Sequence, residues 1–313
     1  MELPKAIHRF LARRRGDTRG RVTLRYRQLY ILPTAQGWLF AVLLFTLWLA
    51  ATNYRLNLGF ALTFLLTGIA LVAMHHCYRN LAGVTVVPAD ASPTWAGETA
   101  YFPLSLENAA RKRRVAIAAD AGHGVVTIDV LPDDTAVLHV PVTAGRRGRL
   151  HPGRVRIESR QPTGLFRTWS WLEPAVEAVV YPRPEAPAPA LPENAPGAAS
   201  GVRGTAAGDD DFQGLRGYRP GDPVQRIAWK ATTAAELQVK VFAGSPGAER
   251  WLDWQATAGL GTEARLQRLA AWVETADRSG ARYGLRLPTV VIPPGEGPVH
   301  RHRCLEALAV FPA

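Results

Sequence analysis

The sequence is poor in cysteine, methionine and lysine: its 313 residues include two, two and four of them. Cys77 and Cys304 stand far apart, with no CxxC spacing and no histidine at metal-ligand spacing, so no disulfide framework is expected. Also missing are the Gly-x-Ser-x-Gly elbow, the His-Glu-x-x-His helix and the phosphate loop through which many enzymes declare themselves. His75 and His76 fall at the end of an apolar run. His300 and His302 are two apart on a predicted helix, so they do not share a face as an i, i+4 metal pair would. A non-enzymatic chain is the expectation, with an envelope hydrolase as a lesser alternative. Acidic residues are outnumbered, 26 against 37 basic ones, and the net charge of +11 comes almost wholly from 33 arginines. Basic clusters interleaved with stacking aromatics are lacking, so nucleic acid is not an expected partner.

Two stretches lack charge altogether, residues 37–52 and 58–74, separated only by Asn53 to Asn57. At 1.5 Å per residue each spans roughly 25 Å, a little short of a hydrocarbon core of about 30 Å, so flanking residues must snorkel or the bilayer must thin. Trp38, Trp48, Tyr54 and Tyr78 lie near the predicted interfaces, as aromatic belts do. Residues 35–78 are thus predicted to form a transmembrane helical hairpin. Residues 1–34 carry nine Lys or Arg against Glu2 and Asp17, which by the positive-inside rule keeps this basic N-terminus cytoplasmic. A hairpin returns the chain to the same side. The N-terminus and everything after about Tyr78 are therefore expected in the cytoplasm, where both thiols stay reduced.

Residues 79–181 hold short apolar runs about ten residues apart, at 84–87, 101–106, 115–117, 125–128, 137–140 and 155–157, a spacing that predicts a β-sandwich-like domain. Arg111 to Arg114 and Arg146 to Arg149 fall on its predicted turns. They are read as solvated hairpins, with phosphate or lipid-headgroup contact as the other reading. Residues 182–208, rich in Pro, Ala and Gly, predict a linker. Asp209 to Asp211 open the next module, facing nearby arginines or holding a divalent cation.

Residues 209–313 begin with the densest tract of the chain, Leu215, Arg216, Tyr218, Arg219, Gly221, Asp222, Arg226, Trp229 and Lys230. Pro220 and Gly221 set a tight turn; Asp222 takes the N-cap position, Pro223 the first helical position and Gln225 the capping-box position of a helix over 223–235. A strand over 237–242 follows. A short strand over 250–257 precedes a helix over 263–279, capped by Thr262, with Leu266, Leu269, Ala270, Val273 and Ala276 on one face and Gly280 past its end. Strands at 283–287 and 290–292 and a helix from Pro298 to about Val310 complete what is expected to be a small, mostly parallel α/β module. The fold class expected for the whole chain is a membrane protein of α+β type.

With Gly164, Leu165 and Phe166 and the Val-Tyr-Pro of 180–182, the Leu-Arg-x-Tyr-x-x-Gly-Asp and Arg-Ile-x-Trp elements of the 215–230 tract resemble the bacterial "domain of unknown function 58" family over nearly the whole chain. That resemblance implies an inner-membrane protein with a von Willebrand factor A-like C-terminal region. It also implies association with MoxR-type AAA+ ATPases and transglutaminase-like membrane proteins. The A-type metal motif is Asp-x-Ser-x-Ser, and here Asp253, Gln255 and Thr257 stand in its place. The amide of Gln255 and the early end of the chain make the module a truncated one. Both weaken the case for magnesium at Asp253 and Thr257, so no cofactor is expected and a degenerate metal-dependent ligand site is the alternative. The expected function is that of an adaptor, in which the 215–230 tract is either a partner surface or an internal Arg–Asp brace.

Overall fold

The computed structural model describes residues 20–25, 28–192, 212–217, 238–242 and 249–312. The chain is of α+β type and divides into two compact units, residues 1–181 and 182–313.

In the first unit, β1 (Val22–Thr23) and β2 (Tyr30–Pro33) precede the helices α1 (Ala35–Asn53) and α2 (Asn57–Leu81). Both helices are longer than their uncharged runs. At 1.5 Å per residue they reach about 28 and 37 Å, the second running past its apolar stretch through His75, His76 and Arg79. Both are long and apolar enough to cross a membrane. After them come β3 (Thr85–Pro88), β4 (Thr94–Trp95), β5 (Thr99–Asn108), β6 (Arg114–Asp120), β7 (Val125–Val130) and β8 (Asp134–Thr143). The unit ends with β9 (Gly148–Leu150), β10 (Val155–Ser159), β11 (Phe166–Leu172) and β12 (Ala178–Tyr181).

One sheet runs β1-β3-β5-β8 and a second β2-β11-β10-β6-β7, while β4-β12-β9 form a third. The first two share a core. Val86, Leu104, Leu106 and Leu138 from one meet Ile117, Val130, Val155 and Ile157 from the other. Alternation along β5, where Ala100, Phe102, Leu104 and Leu106 are buried, is the period-two pattern that fixes which face turns inward.

Within the basic N-terminal segment, Val22–Thr23 and Tyr30–Pro33 are strands of the β-domain. Val22 pairs with Val86 and Thr23 with Thr85, while Tyr30 to Pro33 pair with Trp169 to Phe166. The helical hairpin is therefore an insertion. The chain leaves the second sheet through β2 and returns to the first through β3.

In the second unit, β13 (Phe212–Gly217) pairs antiparallel with β14 (Gln238–Phe242). A second sheet has β15 (Arg250–Asp253) parallel to β16 (Tyr283–Arg286), which is antiparallel to β17 (Val291–Gly295). Helix α3 (Thr262–Arg278) makes the crossover that a parallel pair requires, and α4 (Gly297–Ala309) ends the unit. Gly261, not Thr262, is the N-cap of α3, and it supplies no side-chain bond. The predicted stripe holds: Leu266, Leu269, Ala270, Val273 and Ala276 are all buried, with Leu252, Leu285, Leu305 and Leu308.

The start of the expected linker is not free chain. Glu185 accepts from Arg268 Nε and Nη2 at 2.8 and 2.9 Å, and Trp272 Nε1 donates to the Ala190 carbonyl at 2.9 Å, which lays 182–192 along α3. Prolines at 182, 184, 187 and 189 keep this segment extended and leave its carbonyls to accept. Residues 193–208 lie outside the described residues.

One buried group here is unsatisfied. The Tyr283 hydroxyl makes no hydrogen bond among the described residues, although the residue is fully buried, and burial pushes its ionisation far above the usual phenol range. Stranding a buried donor costs on the order of 1–3 kcal/mol. Tyr283→Phe is therefore expected to stabilise the protein by about 1 kcal/mol, read as a higher urea midpoint at unchanged slope; a lower midpoint would show that the hydroxyl is held.

Candidate functional site

The 215–230 tract divides at the boundary of the described residues. Leu215 and Arg216 lie on β13, in register with Lys240 and Val239. Tyr218, Arg219, Gly221, Asp222, Arg226, Trp229 and Lys230 lie outside the described residues, as do Asp209 to Asp211 and the helix expected over 223–235.

Asp253 and Thr257 come together at the end of β15, but as the two ends of a one-turn 3₁₀ segment, Trp254–Thr257. Asp253 Oδ1 accepts from the Gln255 amide at 2.9 Å. Thr257 Oγ1, buried, donates to the Trp254 carbonyl at 2.7 Å and accepts from Arg265 Nε at 3.0 Å. The Arg265 guanidinium also donates to the Trp254 carbonyl and stacks 4.1 Å from the Trp254 ring centroid. This donor set does not fit magnesium, because the hydroxyl that would coordinate the ion already binds a fixed cation, which would repel a second one. Among the described residues no cluster of three or more His, Cys, Asp or Glu side chains stands together.

His300 and Cys304, i and i+4 on α4, are a pair that the sequence reading missed by setting His300 beside His302. His300 Nε2 lies 2.7 Å from the Tyr283 carbonyl and 3.5 Å from Cys304 Sγ. A carbonyl only accepts, so Nε2 carries the proton and cannot take one from the thiol. Burial pushes the Cys304 thiol up to about 12. This is a packed pair, not a nucleophile and its base. Cys77 is equally buried, against the Ser159 and Phe166 carbonyls. The folded chain is expected to resist iodoacetamide at pH 8 and to take up two equivalents only once denatured; one fast equivalent in the native state would contradict this.

A polar site built from distant parts of the chain is the seat of the hairpin on the β-domain. Thr34 caps α1: its Oγ1 accepts from the Gly37 amide at 3.1 Å and donates to the Gly164 carbonyl at 2.6 Å, while its own amide donates to the Leu165 carbonyl at 2.9 Å. At the other foot, Asn80 Nδ2 donates to the Val115 carbonyl at 2.8 Å and Ser159 Oγ at 2.7 Å, and Oδ1 accepts from the Val115 amide at 3.1 Å. Arg114, buried beside it, donates to Asn108 Oδ1 and the Arg79 carbonyl. Burial, and then the Arg79 charge, hold its guanidinium below the ordinary value.

Sequence reasoning did not single out Thr34, Asn80 or Arg114 as a seat. The available signal was an asparagine directly after the run of His75, His76, Cys77, Tyr78 and Arg79, where the chain leaves its apolar stretch. Comparison with protein-family models, curated proteins and solved structures finds no match to this chain.

Proposed function

We propose that the chain is a non-enzymatic, membrane-anchored interaction protein of the bacterial inner membrane. The α1–α2 hairpin spans the bilayer, and the N-terminus, the β-domain and the C-terminal module face the cytoplasm. The partner is a MoxR-type AAA+ ATPase, alongside a transglutaminase-like membrane protein, as the family resemblance implies. One observation carries the anchor: the hairpin exposes large apolar side chains along both helices, Leu39 at 71%, Phe45 at 62%, Leu58 at 83% and Phe64 at 66%, while its feet are hydrogen-bonded into the β-domain. Apolar surface of this extent is a membrane or partner surface by its energetics, at about 25 cal/mol per Å² left in water. The adaptor role rests on the resemblance and on the 215–230 tract.

The test is twofold. Carbonate extraction should leave the chain in the membrane fraction. Copurification of the intact protein in detergent should yield an ATPase whose retention depends on ATP, and Asp222→Ala should abolish it while the chain stays folded. Repeated purification without a stable or ATP-dependent partner would overturn the adaptor reading, and loss of folding in Asp222→Ala would make the tract a brace.

A further inference from the structure

Beside the second foot of the hairpin lies an open cleft of about 340 Å³, lined by His76, Asn80, Lys112, Arg113, Gln161 and Pro162. Its chemistry is cationic. Lys112 and Arg113 line it, their chain neighbour Arg111 and the neighbour of Asn80, Arg79, are exposed, and Arg114 is buried. Among the described residues, the ion pairs of these five cations involve a single carboxylate, Asp129. Asp129 is itself engaged, with Arg113 at 2.5 Å and the Ala116 amide at 2.7 Å. Those two bonds, the amide first, hold its carboxyl below the usual range.

Lys112 has no carboxylate partner there; its Nζ lies 3.2 Å from His76 Nδ1. An ammonium can only donate, so that ring nitrogen accepts and Nε2 bears the proton, a further donor. The side-chain amide of Gln161 makes no hydrogen bond among the described residues, and it lines the same cleft. Asn80, in contrast, is fully used by the seat. What remains is a set of donors and positive charges with too little negative charge to balance them.

Depth selects the anion. A hydrocarbon core of about 30 Å takes up roughly 20 residues of helix, which on α2 runs from Asn57 to about His76. Leu71 and Val72, one turn before, are each 57% exposed and face that core. The cleft therefore opens at headgroup level, with apolar helix surface directly beneath.

Resting on the membrane reading above, we infer that the Lys112–His76–Gln161 cleft binds the phosphodiester headgroup of an anionic glycerophospholipid, whose acyl chains lie along Leu71 and Val72. The arginine-rich turn at 111–114 is then a lipid clamp and not a solvated hairpin.

The experiment uses the full-length chain, delipidated in detergent, with native mass spectrometry of added phosphatidylglycerol or phosphatidylcholine. Phosphatidylglycerol should bind preferentially, and Lys112→Ala should weaken it about five-fold, the worth of one basic residue at a membrane surface, with an unchanged thermal midpoint. Arg149→Ala, on β9, should change it less than two-fold by the same scale. Equal binding of the two lipids, or equal losses in the two variants, would overturn the site. Saturable binding of glycerol phosphate without lipid, sensitive to Lys112→Ala, would overturn the lipid assignment in favour of a free phosphate ester. A chain that stays in the membrane after carbonate yet shows no lipid preference fails this inference alone, whereas release by carbonate fails the membrane reading itself.

Discussion

Asn80→Ala is expected to lower the thermal unfolding midpoint of the detergent-solubilised protein by about 10 °C. The amide of Asn80, which is only 5% exposed, ties both Val115 and Ser159 to the end of α2, where Cys77 Sγ adds only a weak contact to the Ser159 carbonyl at 3.4 Å. Alanine leaves the Val115 amide, its carbonyl and the Ser159 hydroxyl short of partners. At roughly 1 kcal/mol or more for each stranded group the loss is about 3 kcal/mol, and a unit of this size shifts by about 2–4 °C per kcal/mol. Differential scanning fluorimetry with matched detergent reads the shift directly. A midpoint within a degree or two of the parent would show that α2 is not held by this residue.

Gly37→Ala should cost as much, for an opposite reason: it adds an atom where none fits. A Cβ at Gly37 would stand 2.1 Å from the Leu165 carbonyl oxygen and 3.1 Å from its carbon. These are backbone atoms, so no rotamer change relieves the overlap. Helix α1 must lift, loosening the bonds from Thr34 to Gly164 and Leu165. Overpacking of 1–3 kcal/mol and about 1 kcal/mol for a weakened bond together give a loss of about 3 kcal/mol. Gly68→Ala is the matched control, since nothing lies within 4 Å of a Cβ there. Equal midpoints for the two alanine variants would remove Gly37 from the seat.

Much of the local structure was legible in the sequence. Two charge-free runs gave both helices of the hairpin, and the apolar stripe from Leu266 to Ala276 gave α3 to within one residue at each end. Strands recognised by apolar clusters came out short. The predicted 101–106 is the middle of the ten-residue β5, because its ends carry Thr99 and Asn108, which look like turn residues until their partners on β8 are known. Strands that pair across great sequence distances were missed. Thr23 and Leu32 carry no signal of the partners Thr85 and Arg167, since register is a property of the assembled sheet. The same holds for the seat, whose hydrogen bonds join residues tens of positions apart. At Thr257 the sequence showed an oxygen ligand, but the guanidinium that binds it arrives from a separate helix.

The insertion of the hairpin into the β-domain orders events in time. Thr34 and the Gly164 carbonyl it bonds are 130 residues apart, and at about 5–20 residues per second a ribosome needs on the order of ten seconds to make the chain between them. Throughout that interval β2 has no partner strand, while α1 and α2 are complete once Leu81 is made, about a third of the way through it. On the proposed topology the helices therefore enter the bilayer before the β-domain can close. The soluble half then finishes folding on a chain already tethered at both feet, so a variant that fails to insert would also be one that fails to fold.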